Sequence, residues 1–203
     1  MLLTRINLKH LDRATLAKAV ACLKRGGLVV YPTETAYALG CDPENTAAIK
    51  KLFSLKKRDA SKPLPMISAS LSIARRFVKL DRYAAMLAHA FWPGPLTLVA
   101  PAAKGKKWLA VRVSPSPWAK ALSLGLGKPI ISTSANLSGR TTRYDAASVL
   151  RDLGTVPDLV LDAGALKNVP PSTIVRAEGG VMKLLRQGAI TEDDIHRELM
   201  KRL

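Results

Sequence analysis

Residues 129–139 read PIISTSANLSG. Pro129, Ile130 and Ile131 form a short strand behind a turn at Gly125–Lys128, and a run of small hydroxyl and amide side chains follows at once. Ser132, Thr133, Ser134 and Asn136 supply short hydrogen-bonding groups, and Gly139 permits a tight backbone. Such a segment at the end of a strand lies where open α/β sheets place their ligands. Composition alone nevertheless favours an ordinary Asx or Ser turn. What gives the segment weight is a second stretch, LKKRDASKPL at Leu55–Leu64, which packs Lys56, Lys57, Arg58 and Lys62 into seven residues with a single acid, Asp59. Read together, the two describe a pocket for a polyphosphate.

Working outward, the chain alternates helical and strand-like segments. Asp12 caps a helix with an apolar stripe at Leu16, Ala19, Val20 and Leu23, stopped by Gly26-Gly27. Leu28–Tyr31 reads as a strand and PTETAYALG after it as a loop carrying Thr33, Thr35 and Tyr37. A helix capped by Thr46 delivers the basic stretch at its C-terminal end, where lysines also complement the helix dipole, so Lys56 and Lys57 have two readings. A helix over Arg82–Phe91 meets the turn Trp92-Pro93-Gly94-Pro95 and a strand from Leu96 to Ala100.

The strand Leu109–Val113 carries one charge, Arg112, which points either to solvent or into a site that holds an anion. Helices are expected at Pro117–Leu124 and Asp145–Leu153, strands at Leu159–Leu161 and Ser172–Val175, then a hairpin-like pair ending at Arg186. A final helix opens at Thr191-Glu192-Asp193-Asp194, a good acidic first turn. No repeat or linker interrupts the sequence, so one mixed α/β domain over residues 1–203 is expected, with a twisted mixed sheet flanked by helices and a concave basic surface.

Composition bounds the function. The 203 residues carry 32 Lys and Arg against 15 Asp and Glu, a net charge of +17 with a pI near 10.3, which implies a polyanionic partner. Aromatic residues make up only 5%, too few for a base-stacking platform, so any RNA contact is expected to be phosphate-directed and salt-sensitive. Cys22, Cys41 and three scattered histidines lack zinc spacing, and no bound metal site is expected. Apolar runs stop short of a membrane span, and the charged N-terminus does not resemble a signal peptide, which points to a cytoplasmic protein without membrane contact. P-loop, dinucleotide-binding and nucleophile-elbow motifs are absent.

Seven ordered segments together resemble the YrdC-type threonylcarbamoyl-AMP synthases: VVYPTETAYALGCD, LFSLKKRDASKPL, FWPGPLTLV, LAVRV, KPIISTSANLSG, PPSTIV and LLRQGAI. The resemblance runs from about Gly27 to Ile190, without the extra C-terminal domain of longer relatives. It implies a YrdC-like, RibB-like fold and the synthesis of L-threonylcarbamoyladenylate and pyrophosphate from L-threonine, bicarbonate or CO2, and ATP with Mg2+. Other proteins then transfer the threonylcarbamoyl group to tRNA.

The family's KxR pair falls on Lys56 and Arg58, implied as catalytic and ATP-binding, and its SxN pair on Ser134 and Asn136 in the ATP site. Thr33, Arg112 and Ser132 fall on the threonine pocket, Arg140 and Ser172 on the nucleotide site, and Arg186 near it. The chemistry suits these types: the carbamate is itself the nucleophile, and bringing it to the α-phosphate needs cations to offset repulsion and stabilise the leaving group. An arginine can clamp the threonine carboxylate in a bidentate pair. The sequence departs from the family at Asp59, where proline is common, in lacking a histidine after Leu64, at Ala38, and in the turn Arg186-Gln187-Gly188. Two alternatives stand beside the synthase: a non-catalytic RNA-binding or ribosome-maturation protein, and a paralogue similar to YciO.

Overall fold

A computed structural model describes residues 2–59, 63–154, 157–179 and 181–201. Lys62 of the basic stretch therefore lies outside the described residues. Among the described residues eleven strands divide over two mixed sheets, where the sequence led us to expect one.

The first sheet joins β1 (Leu2–Arg5), β9 (Leu159–Asp162), β2 (Val29–Pro32), β3 (Tyr37–Gly40) and β8 (Thr133–Ser134) in that order. The second runs β11 (Val181–Arg186), β10 (Thr173–Glu178), β5 (Leu96–Pro101), β6 (Trp108–Val113), β4 (Met66–Ser68) and β7 (Ile130–Ile131). The segment quoted first above makes the junction. Ile130 and Ile131 pair antiparallel with β4, Thr133 and Ser134 pair antiparallel with β3, and Ser132 stands between them, its N–H donating to Pro65 O at 2.8 Å. One extended segment thus belongs to both sheets, and the hydroxyl run is strand where the sequence reading has a loop.

One glycine-dependent contact fixes this junction, and another holds the chain beside β10. A Cβ on Gly40 would lie 2.5 Å from Ile131 O and 2.8 Å from Tyr31 Cε1, so β3 approaches β7 only with glycine there. Gly188 has the same role beside β10, where a Cβ would lie 2.3 Å from Pro171 O.

PTETAYALG is a correction to the loop reading: only residues 33–36 turn, and Tyr37–Gly40 pairs antiparallel with β2 from Val29↔Gly40 to Pro32↔Tyr37. The Thr33 hydroxyl closes the turn, accepting from the N–H groups of Thr35 and Ala36 at 3.2 Å each and donating to Ala36 O at 2.7 Å. Tyr37 and Leu39 then face one core cluster and Ala38 another, the alternation of a strand buried on both faces.

Among the described residues seven helices cover the sheets: α1 (Arg13–Lys24), α2 (Thr46–Lys56), α3 (Leu71–Arg75), α4 (Arg82–Phe91), α5 (Pro117–Leu126), α6 (Ala146–Leu153) and α7 (Glu192–Met200). Asp12 caps α1 through Thr15 N, and Asn45 caps α2 where the sequence reading has Thr46. Ser116 with Pro117 opens α5, and a full capping box between Thr191 and Asp194 opens α7.

Three apolar clusters form the core. One is centred on Leu39, Leu52, Val111 and Val149, one on Leu23, Tyr31, Trp118 and Leu122, and one on Leu87, Leu96, Val175 and Ile195. Each fully buried leucine or valine contributes roughly 1.5–3 kcal/mol through apolar burial. No helix among the described residues is long and apolar enough to cross a membrane.

Candidate active site

Between the two sheets lies a cleft of about 400 Å³. Its wall gathers residues from distant parts of the sequence: Thr33 from the β2–β3 turn, Arg58 after α2, Arg112 on β6, Ser132 and Ser134 along the shared strand, and Ser172 before β10. Arg186, the last residue of β11, joins them. Three predicted positions are absent from this lining: Lys56, Asn136 and Arg140.

Lys56, expected to face the nucleotide, has its ammonium engaged by the protein's own backbone. It is the last residue of α2, only 1% exposed, and its ammonium donates to Ser134 O and, at 2.6 Å, to Asn136 O. Lys57 takes the left-handed capping conformation with φ 47° and is exposed. Burial first, and the neighbouring Arg58 second, push the Lys56 ammonium down to about 8. The lysine therefore ties the C-terminal end of α2 to the backbone of the Ser134–Asn136 loop, and Ser138 N donates to Lys56 O at 3.0 Å to close the same junction.

Asn136 and Arg140 belong to this scaffold as well. The Asn136 amide donates to Arg140 O, while its own Oδ1 is buried with no hydrogen-bond partner among the described residues. Arg140 pairs at 3.1 Å with Asp152 of α6, which also takes Arg143 at 3.2 Å and the N–H of Leu137 at 3.2 Å. Burial would raise the Asp152 carboxyl, but Arg143, Arg140 and the Leu137 N–H together hold it below its usual range. Thr142 and Tyr144, from the same segment, reach the cleft instead.

Three guanidinium groups dominate the cleft electrostatically. Arg112, 7% exposed, pairs with Glu34, whose other carboxylate oxygen accepts from Ser114 Oγ. Its facing, left open by alternation along β6, is thus inward. Arg58 donates to Pro63 O at 3.0 Å and leaves a buried Nε without a partner among the described residues; burial lowers its pKa, against the neighbouring Asp59.

Arg186 donates to Ser172 O at 2.7 and 3.1 Å and to Ser172 Oγ at 3.1 Å, and Ser172 Oγ also meets Thr97 Oγ1 at 2.9 Å. Burial and then the like charge of Arg112 lower the Arg186 pKa, and it pairs with no carboxylate among the described residues. A partly buried cation without a counterion is costly until an anion arrives. The cleft is therefore built to receive negative charge beside short hydroxyl groups.

Sequence reasoning passed over Glu34 and Asp152. Arg112 in an apolar strand signals a partner if it faces inward, but nothing near it in the sequence points to Glu34, 78 residues away. Asp152 lies on the face of α6 that buries Ala146, Val149 and Leu153, where an acid is unexpected without partners.

This arrangement coincides with a match over residues 21–188 to the family model of Sua5, YciO and YrdC, described as telomere recombination. The chain belongs to the Sua5/YciO/YrdC family. Among its relatives, threonylcarbamoyl-AMP synthase of Pseudoalteromonas translucida is 37% identical over 182 residues, 83% of this chain and 96% of the relative. The synthase of Thiobacillus denitrificans is 37% identical over 80% of this chain and 92% of its own length.

Among solved structures, Sua5 of P. abyssi complexed with L-threonine superimposes with a TM-score of 0.88 at 29% identity, covering 98% of this chain. The chain spans 60% of that longer protein. YciO of E. coli matches with a TM-score of 0.85 at 26% identity, over 93% of this chain and 97% of its own.

Proposed function

We propose that this chain is an L-threonylcarbamoyladenylate synthase. The observation that carries the reading is the cleft between the sheets, where Arg58, Arg112 and Arg186 converge with the hydroxyls of Ser132, Ser134 and Ser172. Support comes from relatives named threonylcarbamoyl-AMP synthase and from the Sua5 structure complexed with L-threonine.

The reaction needs two steps. Threonine, losing a proton from its amine, adds to bicarbonate or CO2 to give a carbamate, with water released when bicarbonate is used. A carbamate oxygen then bonds to the α-phosphorus of ATP as the bond to the bridging oxygen breaks, and pyrophosphate leaves with that electron pair. In our reading Arg112, oriented from behind by Glu34, takes the threonine carboxylate, with Thr33 and Ser132 beside it. The Thr33 hydroxyl donates to Ala36 O and accepts from the N–H groups of Thr35 and Ala36, so in this reading it would shape the turn that lines the threonine pocket.

Arg58 and Arg186 would offset the repulsion between carbamate and triphosphate and stabilise the departing pyrophosphate. Ser134 and Ser172 would hold the nucleotide. Lys56, Asn136 and Arg140 would act at one remove by fixing the loop that carries Ser134. Among the described residues no cluster of three His, Cys, Asp or Glu side chains could hold a metal ion. Mg2+ would accordingly enter on the phosphates of ATP and add charge neutralisation there.

The product would pass to proteins that transfer the threonylcarbamoyl group to tRNA, and a cytoplasmic location accompanies that role. The test is pyrophosphate release from ATP in bicarbonate buffer with and without threonine. Release that depends on threonine and falls at least tenfold in Arg58→Ala is expected; no dependence on threonine refutes the synthase.

A further inference from the structure

A second cavity, of about 430 Å³, shares no residue with the cleft. Its rim carries Lys18 and Arg25 from one stripe of α1 and Lys51 from α2, around a floor that includes Leu2, Ala21 and Leu159. All three cations are exposed, and none forms an ion pair among the described residues. The one carboxylate at the rim, Asp158, is engaged by the backbone, accepting from Leu28 N at 2.7 Å. Arg25 at the C-terminus of α1 is accounted for by the helix dipole. Lys18 and Lys51 lie inside their helices, and the dipole accounts for neither.

Two of the three, Arg25 and Lys51, also act on a common point. The half-buried Cys22 thiol is raised by burial and by Asp158, and lowered by Arg25 and Lys51. Lys18, Cys22 and Arg25 follow one another at steps of four and three along α1, so the basic stripe is roughly 10 Å long. That length exceeds one phosphate group and suits several in series. Exposed cations hold a single small anion weakly in salt, whereas a polyanion gains a counterion-release increment at each phosphate.

From these observations we infer that the cavity rimmed by Lys18, Arg25 and Lys51 is a docking site for the phosphodiester backbone of RNA, separate from the catalytic cleft. It gives a location to part of the +17 net charge, which the cleft, with Glu34 matching Arg112, does not absorb. The site takes no part in adenylation.

The experiment compares the full chain with the triple variant Lys18→Gln, Arg25→Gln and Lys51→Gln, and with a control of equal charge change in an exposed loop, Lys104→Gln, Lys106→Gln and Lys107→Gln. Glutamine keeps helix propensity at these positions. Binding of a fluorescent RNA hairpin is measured against salt. Losing three phosphate contacts should flatten the plot of log affinity against log salt by about 2–3 units and weaken binding roughly a hundredfold near 0.1 M salt. The loop control should change it far less, and threonine-dependent pyrophosphate release should be the same in all three proteins.

Equal losses in the two variants would mean a general charge effect, and unchanged RNA binding would remove the site; either overturns the inference. If inorganic pyrophosphate binds the wild type and not the cavity variant while RNA binds both alike, the cavity is a free-phosphate site and the inference also fails. Absence of synthase activity in the wild type would sink the proposed function and leave the RNA result standing.

Discussion

Lys56→Met separates two roles for the lysine of the KxR pair, a phosphate ligand and a brace for the neighbouring loop. Methionine keeps the length of the side chain and removes the ammonium that donates to Ser134 O and Asn136 O. Two hydrogen bonds from a charged donor are together worth about 3–6 kcal/mol. Against this stands the burial of the charge: a fall from 10.5 to about 8 corresponds to roughly 3 kcal/mol at 1.36 kcal/mol per pH unit. The variant should therefore be less stable at neutral pH by about 1–2 kcal/mol, with up to about 3 within range.

The pH dependence gives the sharper test. Between the folded value of about 8 and the unfolded value of 10.5, the native chain has released the Lys56 proton and the unfolded chain still holds it. The unfolded state then binds more protons, so the stability of the wild type gains with rising pH. Methionine has nothing to titrate, and other groups cancel in the difference. Urea unfolding of both proteins at pH 7 and pH 9.5 should show the gap widening, by at most about 3 kcal/mol once pH passes 10.5. A gap that stays constant or narrows refutes the reasoning. Unchanged stability at both pH values with loss of ATP affinity alone would make Lys56 a phosphate ligand.

Three further outcomes follow from the same geometry. Gly40→Ala puts a Cβ 2.5 Å from Ile131 O where two backbones meet, and should lower stability by about 2 kcal/mol or more in chemical denaturation; an unchanged midpoint would mean that the junction between the sheets yields freely. Asp152→Asn leaves Arg140 and Arg143 without their carboxylate, so thermal unfolding should come earlier at neutral pH. Because that carboxyl is held below its usual range, the loss should shrink as acid protonates it in the wild type, and a pH-independent loss would be evidence against the pairing. Arg112→Lys loses the planar fork between Glu34 and the cleft, and should raise the KM for threonine at least tenfold while leaving the KM for ATP within about threefold; a larger effect on ATP would move Arg112 to the nucleotide.

The sequence reveals the elements of this fold better than the pairings between them, for a local reason. Helix α4 announces itself within one window, through the Asp81 cap at one end and Trp92-Pro93 at the other, and the acidic first turn of α7 does the same. Strand β3 is hidden because Thr33 and Thr35 signal a turn while Ala38 and Gly40 are too small to mark a strand face. Its identity rests on β2 and β8, and β8 lies far along the chain, pairing at Leu39↔Thr133.

The same distinction governs the site. Arg58, Arg112, Ser132 and Ser134 could be nominated from residue type and family resemblance, and all four line the cleft. Lys56 could not be placed that way, since a lysine at a helix end ordinarily complements the dipole in water. What buries it is a pair of carbonyls 78 and 80 residues away, and no window around Lys56 contains them.

A charge that enters an apolar setting is nonetheless a readable long-range signal, because burial without a partner is too expensive to persist. Arg112 in β6 demands Glu34, and Asp152 in the apolar face of α6 demands Arg140 and Arg143. The first links segments 78 residues apart along the cleft wall, and the second, over 12 and 9 residues, closes the loop behind it. Arg186, which among the described residues has its demand met by neutral oxygens of Ser172 alone, is where the incoming anion would supply the missing partner.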